Sequence, residues 1–175
     1  MTTSTGPAVP ERIDPPLVAG ERRMLESWLD FHRATLLRKC AGLDDARLRQ
    51  AAVPLSPLTL LGLLRHMAEV ERAWFRRVLG GEEAPPLYYS DEDLDGDFRV
   101  TADDGWDEVH RTWHREVTAA RETVTDRSLD DLSTGTRRGE RYSLRWIYVH
   151  MIEEYARHNG HADLIRERVD GTTGE

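Results

Sequence analysis

Cysteine and lysine each occur once in this 175-residue chain, at Cys40 and Lys39. A single cysteine excludes an internal disulfide framework and fits a reducing cytoplasm. Its place at the end of an apolar stripe reads as a small buried residue rather than a reactive thiol. With one lysine among 24 basic residues, arginine carries nearly all the positive charge, and the abundant Ala, Gly and Leu point to a GC-rich coding genome. No stretch approaches the roughly 18 consecutive apolar residues of a membrane span. The first residues lack the basic start and apolar run of a signal peptide. A formal net charge of −8 leaves no basic face for sequence-independent nucleic-acid binding. Apolar residues nowhere alternate over a length that would support a sheet, and no internal repeat is visible.

What is present is helical periodicity. Residues 1–20, with Pro7, Pro10, Pro15 and Pro16, carry no apolar period and read as a disordered N-terminal arm. Residues 21–170 are long enough for one domain with a sizeable core. Four segments repeat apolar residues every three or four positions. The first spans about Glu21 to Ala41 through Leu25, Trp28, Leu29 and Leu36, with Gly42 as a stop signal. The second starts at Ser56-Pro57, a candidate cap followed by a first-turn proline, and runs through Leu63, Met67 and Trp74 to Gly80-Gly81. The third covers about Asp103 to Thr125 and the fourth about Ser143 to Val169. The economical architecture is an all-α four-helix bundle. Residues 81–102 form a long connection of the kind that covers a site or crosses the bundle.

The fourth helix carries ionisable residues on its apolar side. On an ideal wheel His158 and Glu154 fall within or beside the face formed by Ile147, Met151, Ala162 and Ile165, with His150 and His161 on its flank. Residues four apart stand at neighbouring heights on one face, and burying such groups is costly unless they are paired or bind a metal. His66 borders the apolar face of the second helix between Leu63 and Val70. Two imidazoles and a carboxylate from two helices suit Zn²⁺, Ni²⁺, Fe²⁺ or Mn²⁺ and leave coordination positions open. A salt-bridged Glu–His pair explains the spacing nearly as well. His32, His110 and His114 read as structural or boundary groups. Asp91-x-Asp93-x-Asp95-Gly96 opens like a calcium loop, but its twelfth position is Ala102 where a bidentate Glu is needed, so it reads as a solvated acidic loop.

The wording of two helices adds to their periodicity. LRHMAEVERAW over residues 64–74 and SLRWIYVHMIEEYARHNGHAD over residues 143–163 resemble the second and fourth helices of the DinB/YfiT-like superfamily. More narrowly, they are similar to its DUF664 branch, some members of which are called mini-circle proteins. The resemblance covers about residues 21–168. It implies a four-helix bundle holding one divalent metal, most commonly zinc, through ligands that fall on His66, Glu154 and His158. Glu154 stands where histidine is more frequent; mycothiol-dependent maleylpyruvate isomerases show a similar His, Glu, His set, and a carboxylate shifts preference toward harder metals. His161 is a reserve ligand or a partner of one.

Relatives of this kind include transferases using bacillithiol, glutathione or mycothiol. The resemblance therefore implies a cytoplasmic mycothiol-dependent S-transferase acting on a small electrophile, and the arginine-rich composition fits an actinobacterial source. Arg137, Arg138 and Arg141, beside the start of the fourth helix, are the candidates for holding the thiol cofactor. The alternative is a non-catalytic metal-containing bundle that binds a small molecule in a stress response. Expected partners are the thiol and the electrophile, with no nucleic acid, no membrane, and a homodimer allowed.

Overall fold

The computed structural model describes residues 7–174; the start of the expected disordered arm, residues 1–6, lies outside the described residues. Residues 7–20 form no helix. They run against the first helix, where the Pro7 carbonyl accepts from Gly42 N at 2.9 Å and the Arg12 guanidinium lies 4.6 Å from the Phe31 ring centre.

Five α-helices follow: α1 (Glu21–Cys40), a single turn α2 (Asp45–Leu48), α3 (Leu60–Glu71), α4 (Trp106–Val124) and α5 (Leu144–Asp170). The four long ones make the bundle, α1 packing chiefly on α5 and α3 on α4. No strand occurs among the described residues, and no described helix is long and apolar enough to cross a membrane. Side-chain caps set several boundaries by satisfying backbone N–H groups that lack intrahelical partners. Asp44 accepts from Arg47 N, Thr59 from Gly62 N and Ser143 from Trp146 N. Gly171, in the left-handed region at φ 79°, ends α5.

The second long helix begins one turn later than the Ser56-Pro57 signal suggests. Ser56 closes a turn instead: its N–H donates to the Val53 carbonyl and its hydroxyl accepts from Leu58 N. That leaves Thr59 as the cap. Past Glu71 the same helix widens into a π-helical stretch, Arg72–Leu79, in which Gly80 N reaches back five residues to the Phe75 carbonyl at 3.0 Å.

Apolar side chains such as Leu36, Leu60, Met67, Ile147 and Met151 are fully buried at the centre. So is Cys40, whose thiol pKa is pushed up to about 12 by burial. Lys39 is buried too, its ammonium paired with Asp163 at 2.5 Å. Among these apolar groups runs a polar chain that links all four long helices. Arg33 on α1 holds both oxygens of Glu71 on α3, at 2.8 and 2.7 Å. Tyr155 on α5 donates to Glu71 at 2.8 Å and accepts from the Trp113 indole on α4 at 2.9 Å. Burial raises the Tyr155 hydroxyl pKa well above its ordinary value, so it stays a donor. A second buried carboxylate, Glu116, ties α4 to the π-helical stretch through Arg72 and Arg76. Removing one member of a buried charge pair strands the other. Arg33→Ala is therefore expected to cost about 3–5 kcal/mol in urea denaturation, and a loss below about 1 kcal/mol would show that water or a rearranged side chain satisfies Glu71.

Candidate metal centre

Three neighbouring positions on one side of α3 hold the long connection, residues 81–105, against the bundle. Glu69 accepts from Leu87 N and Tyr88 N at 2.6 and 3.1 Å. Arg65 is paired with Asp104 and stacks on the Tyr88 ring at 4.3 Å. His66 Nδ1 meets Asp97 Oδ2 at 2.7 Å. Such a close approach needs Gly62: a Cβ there would lie 2.6 Å from the Phe98 carbonyl oxygen. The connection thus covers the site through Asp97, which is buried, and Phe98, whose ring stacks on His66 at 4.2 Å.

An ionised carboxylate only accepts hydrogen bonds, so a neutral His66 ring donates from Nδ1 and carries its lone pair at Nε2. That nitrogen is buried and has no hydrogen-bond partner. The His66 and His158 rings lie 4.5 Å apart, centre to centre. On α5, His158 Nε2 is 3.5 Å from Glu154 Oε2, while its Nδ1 is 3.3 Å from Nδ1 of His161. One ligand atom from each of His66, Glu154 and His158 lies within 4.8 Å of the others. The structure therefore brings together the three residues that the helical faces singled out.

Charge in the cluster is asymmetric. Glu154 has its carboxyl pKa held below the ordinary range, first by the hydrogen bond from His158 and then by the nearby His150 and His66, against the opposing effect of burial. His161 is shifted down, mainly by burial and then by His158, which keeps it a neutral imidazole. It abuts His158 without joining the group of three. A second group, His150, Glu153 and Glu154, shares one carboxylate with the first. Glu153 there is exposed and paired with Arg157. An orphaned buried imidazole nitrogen facing a carboxylate and a second imidazole is a donor set that fits a borderline divalent cation. Asp97 then plays the part of the carboxylate that orients a ligand histidine.

Glu154 and His66 also line a cavity of about 580 Å³. The π-helical stretch contributes Trp74 and Arg77 to its wall, and the loop before α5 contributes Arg137, Arg138 and Tyr142. Arg141 does not face it: its Nε donates to the Ser133 carbonyl at 2.5 Å. Of the three arginines named from sequence, two reach the cavity and one staples the loop. Asp91 and Asp95, of the segment read as a solvated acidic loop, are exposed, and the residue just past that segment behaves differently. Asp93 is paired with Arg99 at 2.8 Å, and Asp97 turns inward to His66. Asp97 and Phe98 were not among the sequence candidates; their one signal is an acidic residue continuing the alternation of 91, 93 and 95 into an aromatic.

In metal-free protein, nitrogen NMR of the imidazoles is expected to show His66 protonated at Nδ1 and bare at Nε2. Asp97→Asn should move the ring toward the opposite tautomer. An unchanged His66 spectrum would remove Asp97 from this role.

The model of a family described as mycothiol-S-transferase matches residues 24–171, which sets the chain within the DinB/YfiT-like superfamily. No curated protein matches. Among solved structures, a conserved protein from Enterococcus faecalis is similar in fold, with a TM-score of 0.61 at 14% identity over 89% of this chain and 100% of that one.

Proposed function

The chain belongs to the mycothiol-S-transferase family, and from that premise we propose that it joins a low-molecular-weight thiol, mycothiol, to a small electrophile at a divalent metal held by His66, Glu154 and His158. The observation that carries this reading is the buried, unpartnered Nε2 of His66 beside Glu154 and His158 at the edge of an open cavity. Zinc is the metal we favour, with nickel, iron and manganese compatible with the same donors. The finer placement in the DUF664 branch rests on the α5 phrase quoted above.

When bound, the metal supplies a cationic site at which a thiol loses its proton near neutral pH and becomes a nucleophile. The chain's residues do the rest. Asp97 keeps the His66 lone pair pointing away from the connection, and Phe98 stacks on the ring and excludes water from it. Glu154 contributes the one negative charge among the three donors, while His161 braces His158 through its far nitrogen. Three protein donors leave positions for an incoming sulfur on the cavity side. The protein's own cysteine does not compete, since Cys40 is fully buried with its thiol pKa raised to about 12.

Two measurements test this reading. Elemental analysis should find about one divalent metal per chain, lost in His66→Ala and in His158→Ala, because two remaining donors hold it far more weakly. In cobalt-loaded protein, mycothiol should raise a sulfur-to-cobalt charge-transfer band in the near ultraviolet that Cys40→Ala retains and His158→Ala abolishes. Metal retained in full by both alanine variants overturns the ligand set. A cobalt-loaded protein whose spectrum ignores millimolar thiol overturns the transferase reading and leaves a non-catalytic metal-containing bundle.

A further inference from the structure

Part of the cavity wall is a cluster of aromatic rings, most of them tilted or edge-on to one another. Trp74 and Trp146 lie 5.2 Å apart between centres, Tyr142 is 5.3 Å from Trp74 and 4.6 Å from Trp146, and His150 stacks on Trp146 at 5.0 Å. Trp146 is 45% exposed and lines the cavity, so one face of its ring is open to a ligand there. Over the Trp74 ring lies the guanidinium of Arg137, 5.0 Å from the ring centre.

The backbone keeps Arg137 and its neighbour there at some cost. Arg137 N donates to the Glu140 carbonyl and Glu140 N to the Arg137 carbonyl, closing a two-residue turn. The turn places Arg138 at φ 54° and Gly139 at φ 79°, both left-handed. A non-glycine residue in that region costs on the order of 1 kcal/mol, and sites that hold one are often functional. The base of this hairpin is pinned to the end of the π-helical stretch: Thr134 N and Gly135 N donate to the Leu79 and Val78 carbonyls, both at 2.9 Å. Arg77, Arg145 and Arg157 are each paired with a carboxylate. Among the described residues neither Arg137 nor Arg138 has such a partner.

We propose that the electrophile is a flat aromatic molecule bearing an anionic group, its ring stacked against the exposed Trp146 and its anion held by Arg137 and Arg138. This deepens the transferase reading and rests on it for the identity of the reaction. Mycothiol has its amine and carboxyl groups tied up in amides, so the thiol is its one ionisable group and the metal takes that. From sequence these two guanidiniums are candidates for holding the thiol cofactor; mycothiol offers them only neutral groups, so an anion on the other substrate matches their charge better. Both arginines line the same cavity as Glu154 and His66, so a molecule anchored by them lies within reach of the three-residue cluster. For a chloronitrobenzoate, the thiolate sulfur bonds to the ring carbon that carries chlorine, chloride leaves with the bonding pair, and the thiol's proton goes to solvent.

The test needs neither metal nor thiol and so stands apart from the tests of the transferase reading. Calorimetry would compare 4-chloro-3-nitrobenzoate with 4-chloro-3-nitrobenzamide, the same shape without charge, on the purified full-length protein. The benzoate should bind about tenfold or more tightly than the amide, the scale of one to two charge-assisted contacts. In Arg137→Gln/Arg138→Asn the benzoate should fall to the amide's affinity, with the amide unchanged as the control for folding. Trp146→Ala should weaken both ligands. Equal binding of the two ligands to the unmodified protein, or an undiminished preference in the double variant, overturns the proposal.

Discussion

Arg33 and Glu71 meet inside the bundle, and the position of every other functional group depends on that pairing being kept. Neither side chain is more than 7% exposed, so neither charge has water to fall back on. Tyr155 and Trp113 extend the pair to α5 and α4, which makes one polar chain the common reference for four helices. Sliding α5 by a single turn would move Tyr155 about 5.4 Å and leave the Glu71 carboxylate short of a donor. The apolar contacts around it would tolerate such a slide far better, because Leu, Ile and Met repack. Glu71 stands five residues beyond His66 and Tyr155 directly after Glu154. The register that satisfies the buried carboxylate is thus the register that brings His66 beside Glu154 and His158.

The helices were legible because their signals are local. Periodicity needs only neighbours in sequence, and so do the i, i+4 placement of Glu154 and His158 and the apolar setting of His66. The Arg33–Glu71 pair was not, since 38 residues separate its members and each alone resembles any surface charge of a charged helix. Asp97 hid for the same reason, 31 residues from the ring it orients. Ser56-Pro57 misled because a serine hydroxyl can close a turn as readily as it caps a helix. Arg141 illustrates a different gap: beside Arg137 and Arg138 in sequence, it is turned by the hairpin into that hairpin's own backbone.

Widening of the α3 continuation explains how one helix serves two purposes. As far as Glu71 it follows ordinary α geometry, presenting Arg65, His66 and Glu69 to the connection. From Arg72 it opens into π geometry, which shifts the following side chains around the axis. Arg77 then faces the cavity, Trp74 is a buried residue of the core that also lines it, and Phe75 and Val78 remain in the core. Arg72 and Arg76, both holding Glu116, keep the widened turns in place.

The burial of Cys40 and Lys39 bears on the protein's own durability. Under the proposed function the protein would meet reactive electrophiles, and thiols and amines are the side chains such reagents reach first. Here the one thiol is sealed in the core and protonated, and the one lysine side chain is largely buried and paired with the exposed Asp163. Apart from histidines such as the exposed His114, the basic side chains left outside are guanidiniums, which stay protonated and make poor nucleophiles. The scarcity of two residue types and the placement of their sole representatives leave a surface with little for an escaping electrophile to alkylate.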